Sequence, residues 1–303
     1  MTAVAITQDV NDIGRAIERA LRHIRLERLV RDKVVAVKPN DTWASNGDKT
    51  GVTQPDSLRA VLRCLKGFGP RELVVTGGAG AAETDDVFRI SGMMDVVEEE
   101  RATFFDHNKP PFVSVPLEYA PARDVSGPQS SVMVNPRVLE YEALVVLSQL
   151  KVHRTATVTL ALKNVAMSFP AADYYGHPRS SEQHGNCFFA DMHAFIAVMA
   201  KRFPISLAVT VGHPAMIGTG PLGGKAVETG IVIASEDALA ADAVGAQLLG
   251  FEAQAVAYIR KAAALGIGQS DTEKFEYPEL HLDEAFERFT EAVYGEKLQL
   301  HTV

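Results

Sequence analysis

Cysteine is nearly missing from this chain: only Cys64 and Cys187 occur in 303 residues. That excludes an iron–sulfur cluster held by this chain, since such clusters usually need four thiolates, and it excludes a four-cysteine zinc site. Basic charge is scarce as well. The 30 Lys+Arg are outnumbered by 38 Asp+Glu, giving a formal net charge of −8 and a pI near 5.6. Nucleic-acid binding needs a basic surface, so that class of partner is not expected. No apolar run reaches the ~18 residues of a bilayer-spanning helix, and no membrane partner is expected. Met1–Asp9 lacks a basic segment leading into an apolar one, so the expected location is the cytoplasm. Internal repeats and low-complexity tracts are absent too.

What is present is ordinary for a globular protein, with 47% hydrophobic and 22% charged residues. The length suggests two domains or one large domain with two lobes. We expect an α/β fold, a mostly parallel sheet flanked by helices, with lobes at 1–165 and 166–303 and a cleft between them. The basis is alternation. Apolar positions at helical spacing over 10–31 precede a β-branched run at 33–38; a helix opened by Pro55 precedes a strand at 72–76; a helix over about 85–91 follows. Shorter strand candidates are 103–106 and 113–116, and 117–132 reads as an excursion or hairpin. The strongest buried strand is 144–150, and further strands are expected at 206–211 and 230–235. Helices are expected at 188–202, 236–249, 252–265 and 282–294, with an irregular stretch at 166–187. Strands apolar on both faces belong in a parallel sheet covered by helices.

Four groups of residues carry candidate chemistry. The first strand delivers Asn40, Asp41 and Thr42 to its carboxyl end, where open α/β sheets bind ligands. The second strand ends in Gly77-Gly78-Ala79-Gly80. This lacks the spacing of a dinucleotide fingerprint, and reads as a tight turn or as amides around a small anion. The most unusual stretch is Lys151-Val152-His153-Arg154 with Lys163 and Asn164. Cations beside a histidine suit a carboxylate or phosphate; the alternative is a solvated basic loop. Apolar neighbours (Val158, Leu160, Leu162, Val165) imply burial of Lys163, which would depress its pKa and make it a base or nucleophile. Finally, His177, His184 and His193 accompany Asp173, Glu182 and Asp191 without metal-protease spacing. Surface and capping roles compete there with a metal site. A glycine-dense loop containing His213 and Gly220 would let backbone approach a ligand.

Val37-Lys38-Pro39-Asn40, Leu150-Lys151-Val152-His153, the run Val158 to Asn164, Gly218 to Gly223 and Ala234 to Val244 together resemble the family called domain of unknown function 362. The resemblance implies one continuous family domain over about 33–270. Many relatives carry an added ferredoxin-like module, which this chain has too few cysteines to build. Where relatives tend to place an aspartate after the strand at 206–211, this chain has Gly212-His213.

A more distant likeness is to the N-terminal domain of nickel-pincer lactate racemases, carried by Val134-Asn135-Pro136-Arg137, His153 and Lys163. In that family the histidine transfers protons, the lysine holds the cofactor, and a nickel-binding histidine falls near His177. Two departures matter. Asp41-Thr42-Trp43 lacks the family's arginine, and Thr76-Gly77-Gly78 replaces a Gly-Thr-His turn that supplies a second acid–base histidine. The likeness therefore implies the fold and the location of the site, not the nickel cofactor.

These readings converge on a small-molecule enzyme that moves a proton beside a carboxylate or carbonyl: an isomerase or epimerase, or a lyase or cyclase acting through an enolate. His153 is the expected general base or acid. Lys163, with Lys151 or Arg154, would stabilise charge developing on oxygen. Asn40, Asp41, Thr42, Gly78, Asn164, His213 and Gly220 would bind substrate, and His177 or His184 would be a second proton-transfer group or a metal ligand. The substrate would be a small anion or carbonyl compound, and the cofactor is either none or a single metal ion. The alternatives are a redox protein working with a metal or an iron–sulfur partner, and a non-catalytic ligand binder. Association into a homo-oligomer is left open.

Overall fold

The computed structural model describes residues 2–118, 130–177 and 191–300. Its first strands are β1 (Thr2–Ala3), β2 (Ala5–Gln8), β3 (Val34–Pro39), β4 (Glu72–Gly77), β5 (Thr103–Asp106), β6 (Val113–Pro116) and β7 (Ser131–Val134). They are followed by β8 (Ala143–His153), β9 (Thr157–Thr159), β10 (Leu207–Ile217), β11 (Lys225–Val227), β12 (Ile231–Ser235) and β13 (Phe275–Glu276). The helices before β8 are α1 (Ile13–Leu21), α2 (Leu26–Val30), α3 (Pro55–Lys66), α4 (Thr84–Ser91) and α5 (Met93–Glu99). After β9 come α6 (Ala161–Ser168), α7 (Ala172–Tyr175), α8 (Met192–Arg202), α9 (Ala238–Leu248), α10 (Ala257–Ala264) and α11 (Leu282–Tyr294).

Among the described residues, nine strands form one sheet in the order β2-β12-β10-β8-β3-β4-β5, with β11 on β10 and β9 on β8. Neighbours from β10 to β5 pair in parallel, while β12 and β2 extend one edge by antiparallel pairing. The sheet is thus mostly parallel with an antiparallel margin. Alternation along each strand decides which face a side chain joins. Val35, Val37, Val145 and Leu147 pack with α1, α3 and α5. Ala36, Leu144 and Val146 face the opposite layer of α6, α8, α9, α10 and α11. Both faces are apolar because both are covered by helices.

Some boundaries differ from the sequence reading. The helix expected over 10–31 is interrupted between α1 and α2, with Asp12 capping α1 through the Arg15 N–H. Helix α6 lies where no helix was expected. It is buried on nearly every side, so it has no polar stripe to reveal its period. The break drawn at 165 falls inside α6, and β8 and β10 on either side of it are paired neighbours. The sheet therefore runs continuously through both expected lobes. Among the described residues no helix is long and apolar enough to cross a membrane.

Connectivity places the site. From β3 the chain crosses through α3 to β4 on one side. From β8 it crosses through α6 and α8, on the other face, to β10 on the opposite side. The two exits diverge at adjacent strands, which opens a crevice at their carboxyl ends.

Candidate active site at the carboxyl ends of β3 and β8

A cavity of about 200 Å³ lies at this divergence, lined by Asn40, Asp41 and Thr42 after β3, Gly78 and Gly80 after β4, His153 and Thr159 from β8 and β9, and Lys163, Asn164, Met167 and Ser168 from α6. Ala81, Met192 and Pro221 complete its wall. Its floor is a fixed polar frame. Asp41 accepts from Lys38 Nζ at 2.6 Å through Oδ1 and from the Gly78 N–H at 2.7 Å through Oδ2. Asn40 Oδ1 accepts the Gln149 N–H at 2.6 Å. Both side chains thus tie the end of β3 to its neighbours while keeping contact with the cavity.

Three buried lysines meet here and differ in what they touch. Lys38 is paired with Asp41. Lys151, wholly buried, donates to the Gly51 carbonyl at 2.7 Å and does not line the cavity. Lys163 lines the cavity and makes no hydrogen bond or ion pair among the described residues. Burial disfavours an ammonium, and it pushes Lys163 down to about 7. Lys151 is likewise pushed down to about 7, by burial first and then by the charges of Lys163 and Lys38, with Asp41 opposing.

The helix presenting Lys163 is anchored at its amino end. Asp242, fully buried on α9, accepts the Ala161 and Leu162 N–H groups at 2.8 and 3.2 Å and the Tyr258 hydroxyl at 3.1 Å. The two N–H groups are orphan donors of a helix start, and a carboxylate is their favoured partner. Burial still raises the Asp242 pKa to about 7. The Ala234 to Val244 run singled out in the sequence therefore supports the site from below, and Asp242 was not among the expected site residues.

His153 ends β8. Its Nδ1 accepts the N–H groups of Thr155 at 3.0 Å and Ala156 at 3.1 Å. A nitrogen that accepts twice carries no hydrogen, so Nε2 holds the ring proton. Burial, then the charges of Lys163, Lys151 and Arg154, push the imidazole down to about 3. The ring is neutral at working pH and presents an N–H donor. The resting ring is thus suited to donate rather than to accept, which narrows the base-or-acid role expected for it.

A second histidine escaped the sequence reading. His107, fully buried after β5, hydrogen-bonds Thr76 Oγ1 through Nδ1 at 2.8 Å, and Ser168 Oγ and O through Nε2 at 3.0 and 3.1 Å. Ser168 Oγ donates to the Gly78 carbonyl at 2.9 Å, and Tyr141 donates to Thr76 Oγ1 at 3.0 Å. A Cβ on residue 78 would run into the His107 ring. The turn that lacks a histidine in sequence therefore has an imidazole packed on it in space, contributed by the neighbouring strand. The signal available was the glycine pair itself, because a strand-end glycine marks close approach by another group.

Other expected residues lie elsewhere. Lys151 reaches the site only as a buried charge, and the Arg154 side chain is exposed outside the cavity lining. Gly220 packs against the Val152 carbonyl, and its successor Pro221 is the residue that reaches the cavity. His213 is held between Asp56 at 2.8 Å and Glu228 at 2.6 Å, which raises its pKa, and it does not line the cavity. His177 bonds Asp173 at 2.9 Å and likewise does not line the cavity, so it does not fit a metal ligand beside Lys163. With Glu83 and Asp173 it offers ligand atoms within 4.8 Å of one another. That cluster already holds the Lys109 ammonium, 2.9 Å from Glu83 and 3.4 Å from Asp173. His184 lies outside the described residues.

Two solved structures resemble the chain at 14% identity. One is a lactate racemase apoprotein from Thermoanaerobacterium thermosaccharolyticum, with 83% of this chain and 57% of that one covered at a TM-score of 0.49. The other is a protein from Thermotoga maritima, with 80% and 59% covered at a TM-score of 0.47. The chain thus spans less than two thirds of the length of each. No curated protein matches it in sequence. Residues 35–247 match the family described as domain of unknown function (DUF362). With well over half of its length matched, the chain belongs to that family.

Proposed function

We propose that this protein catalyses proton transfer at a carbon next to a carboxylate or carbonyl of a small molecule, as an isomerase or epimerase, or as a lyase or cyclase that uses the same intermediate. One observation carries the reading: an amine with no hydrogen-bonding partner among the described residues, Lys163, faces the same cavity as the neutral His153 ring. A base works best with a pKa near the working pH, and burial gives Lys163 that property.

In this reading the Lys163 amine takes the proton from the α-carbon, and the carbon's electron pair moves onto the carbonyl oxygen. The Nε2–H of His153 donates a hydrogen bond to that oxygen as charge builds, keeping its own proton. The new Lys163 ammonium and the buried Lys151 charge then stand beside the enolate, where a low dielectric strengthens their effect. Return of the proton to another face or another atom completes an isomerisation; departure of a group from the neighbouring carbon completes an elimination. Asn40 and Asp41, fixed by β8 and the Gly78 N–H, would shape the substrate's seat, and Asn164 would add a donor.

The test is deuterium wash-in. The purified chain incubated in D₂O with a panel of small 2-hydroxy, 2-oxo and 3-oxo carboxylates should exchange the α-hydrogen of at least one of them. Lys163→Ala should keep its circular dichroism spectrum and lose that exchange by about 10³-fold or more, a loss larger than the 10²–10⁴ span's lower limit for one acid–base group. Wild-type-like exchange in Lys163→Ala overturns the reading.

A further inference from the structure

The Lys163 amine has a geometry that a simple base does not require. Among the described residues it has no carboxylate partner and no hydrogen bond, although an acid stands nearby. Asp41 has committed one oxygen to Lys38 and the other to the Gly78 N–H. Lys151, the neighbouring cation, is pinned to the Gly51 carbonyl. Of the three buried lysines, the one that lines the cavity is the one whose nitrogen is held, among the described residues, by neither a carboxylate nor a backbone carbonyl.

The surroundings suit covalent chemistry. Met167, Met192, Ala81 and Pro221 give the cavity an apolar wall, which limits the water that would hydrolyse an imine. An amine in an apolar pocket beside a second cation is the arrangement that activates lysine as a nucleophile. In the same cavity, the Nε2–H of His153 has no hydrogen-bond partner among the described residues and is free to meet an oxygen.

We infer that Lys163 forms an imine with a ketone or aldehyde substrate, so that the preferred substrate class is a small 2-oxo acid or related carbonyl compound rather than a 2-hydroxy acid. This deepens the proton-transfer reading and rests on it for its catalytic use, with one change of role. Once Nζ is in the C=N bond, Lys163 serves as the electron sink, and the α-proton passes to the water released beside the His153 N–H instead of to the Lys163 amine. The nitrogen lone pair forms the Nζ–C bond while the carbonyl π pair moves to oxygen, which accepts the His153 N–H hydrogen bond. The C–O bond then breaks. Oxygen departs as water carrying both amine hydrogens, and a C=N bond remains, so no oxidant, reductant or further reactant enters. Because an imine withdraws electrons more strongly once protonated, it makes the adjacent C–H easier to ionise than the parent ketone.

Reductive trapping tests the inference. The full chain is mixed at pH 7.5 with pyruvate or with acetaldehyde, treated with sodium borohydride, digested, and mapped by mass spectrometry. The expected result is a reduced pyruvate adduct on the Lys163 peptide at more than ten times the yield on any surface lysine, and its loss in Lys163→Arg. Acetaldehyde marks surface lysines and shows that the reagents work. If surface lysines are marked and Lys163 carries neither adduct, the inference is overturned. Deuterium wash-in separates this outcome from failure of the proton-transfer reading. Exchange without an adduct leaves Lys163 as a base alone and rejects the imine, whereas an adduct without exchange keeps the imine and rejects the proton transfer.

Discussion

Two histidines in this molecule live under opposite electrostatics. His153 is buried among cations at the switch point, and burial first, then those charges, drive it neutral, down to about 3. His213 stands between Asp56 and Glu228, where paired carboxylates raise its pKa. The same side chain is a hydrogen-bond donor with no charge in one place and a charged pairing partner in the other. The difference teaches that histidine content alone says little about a site: what matters is how deeply each ring is buried and the sign of the charges beside it. Lys163 lines the cavity with the buried Lys151 close behind it, and burying such amines with the nearby Asp41 carboxylate committed to Lys38 favours the loss of their protons.

The largest expected effect comes from breaking the Lys38–Asp41 ion pair. Lys38→Met leaves Asp41 buried without its ammonium, and losing one partner of a buried pair costs about 3–5 kcal/mol. Urea denaturation should register that fall, while a midpoint equal to wild type would show that Asp41 does not need Lys38. Lys151→Met is milder and sharper. Native Lys151 and Lys163 lose their protons near 7, but lysines in an unfolded chain do so near 10.4. Between those values the unfolded chain binds more protons, so stability should rise with pH. Lys151→Met should flatten that rise between pH 7 and 10, and should move the ascending, low-pH limb of any Lys163-dependent rate to higher pH because a repelling charge is gone. An unchanged stability slope would mean the Lys151 amine is not desolvated.

His213→Asn should do least. A raised pKa means its stabilisation is full below about 6.5, the unfolded histidine value, and fades as pH rises through the higher folded value. The variant should therefore lose about 1 kcal/mol or less, visible as a lower Tm at pH 5.5 and not at pH 9, with catalysis unchanged. A loss of activity in His213→Asn would place this ring in the machinery after all.

Much of the architecture was readable because burial on both faces writes continuous apolar runs. Leu144 to Leu150 and Lys33 to Lys38 announce central strands, and 282–294 shows its helix through a clear apolar stripe. Helix α6 was not readable, since a helix packed on all sides leaves no stripe. Strands β9 and β11 were missed because they are three residues each and exist by pairing with β8 and β10. Of the site, the Lys151 to Asn164 stretch and the Asn40-Asp41 turn were visible as charges and polar groups placed after apolar strands. His107 was not: it follows a short strand, and its partners Thr76 and Ser168 lie 31 and 61 residues away in sequence. Asp242 looked like part of an alanine-rich helix, and only the chain's path reveals that it caps the helix bearing Lys163.

The contact between residue 78 and the His107 ring also restricts how this protein can change over generations. A side chain at 78 and an imidazole at 107 compete for one volume, so position 78 cannot gain a side chain while the ring at 107 stays. A lineage that gains bulk at the first must shrink the second, and the two should drift as a correlated pair although 29 residues separate them along the chain.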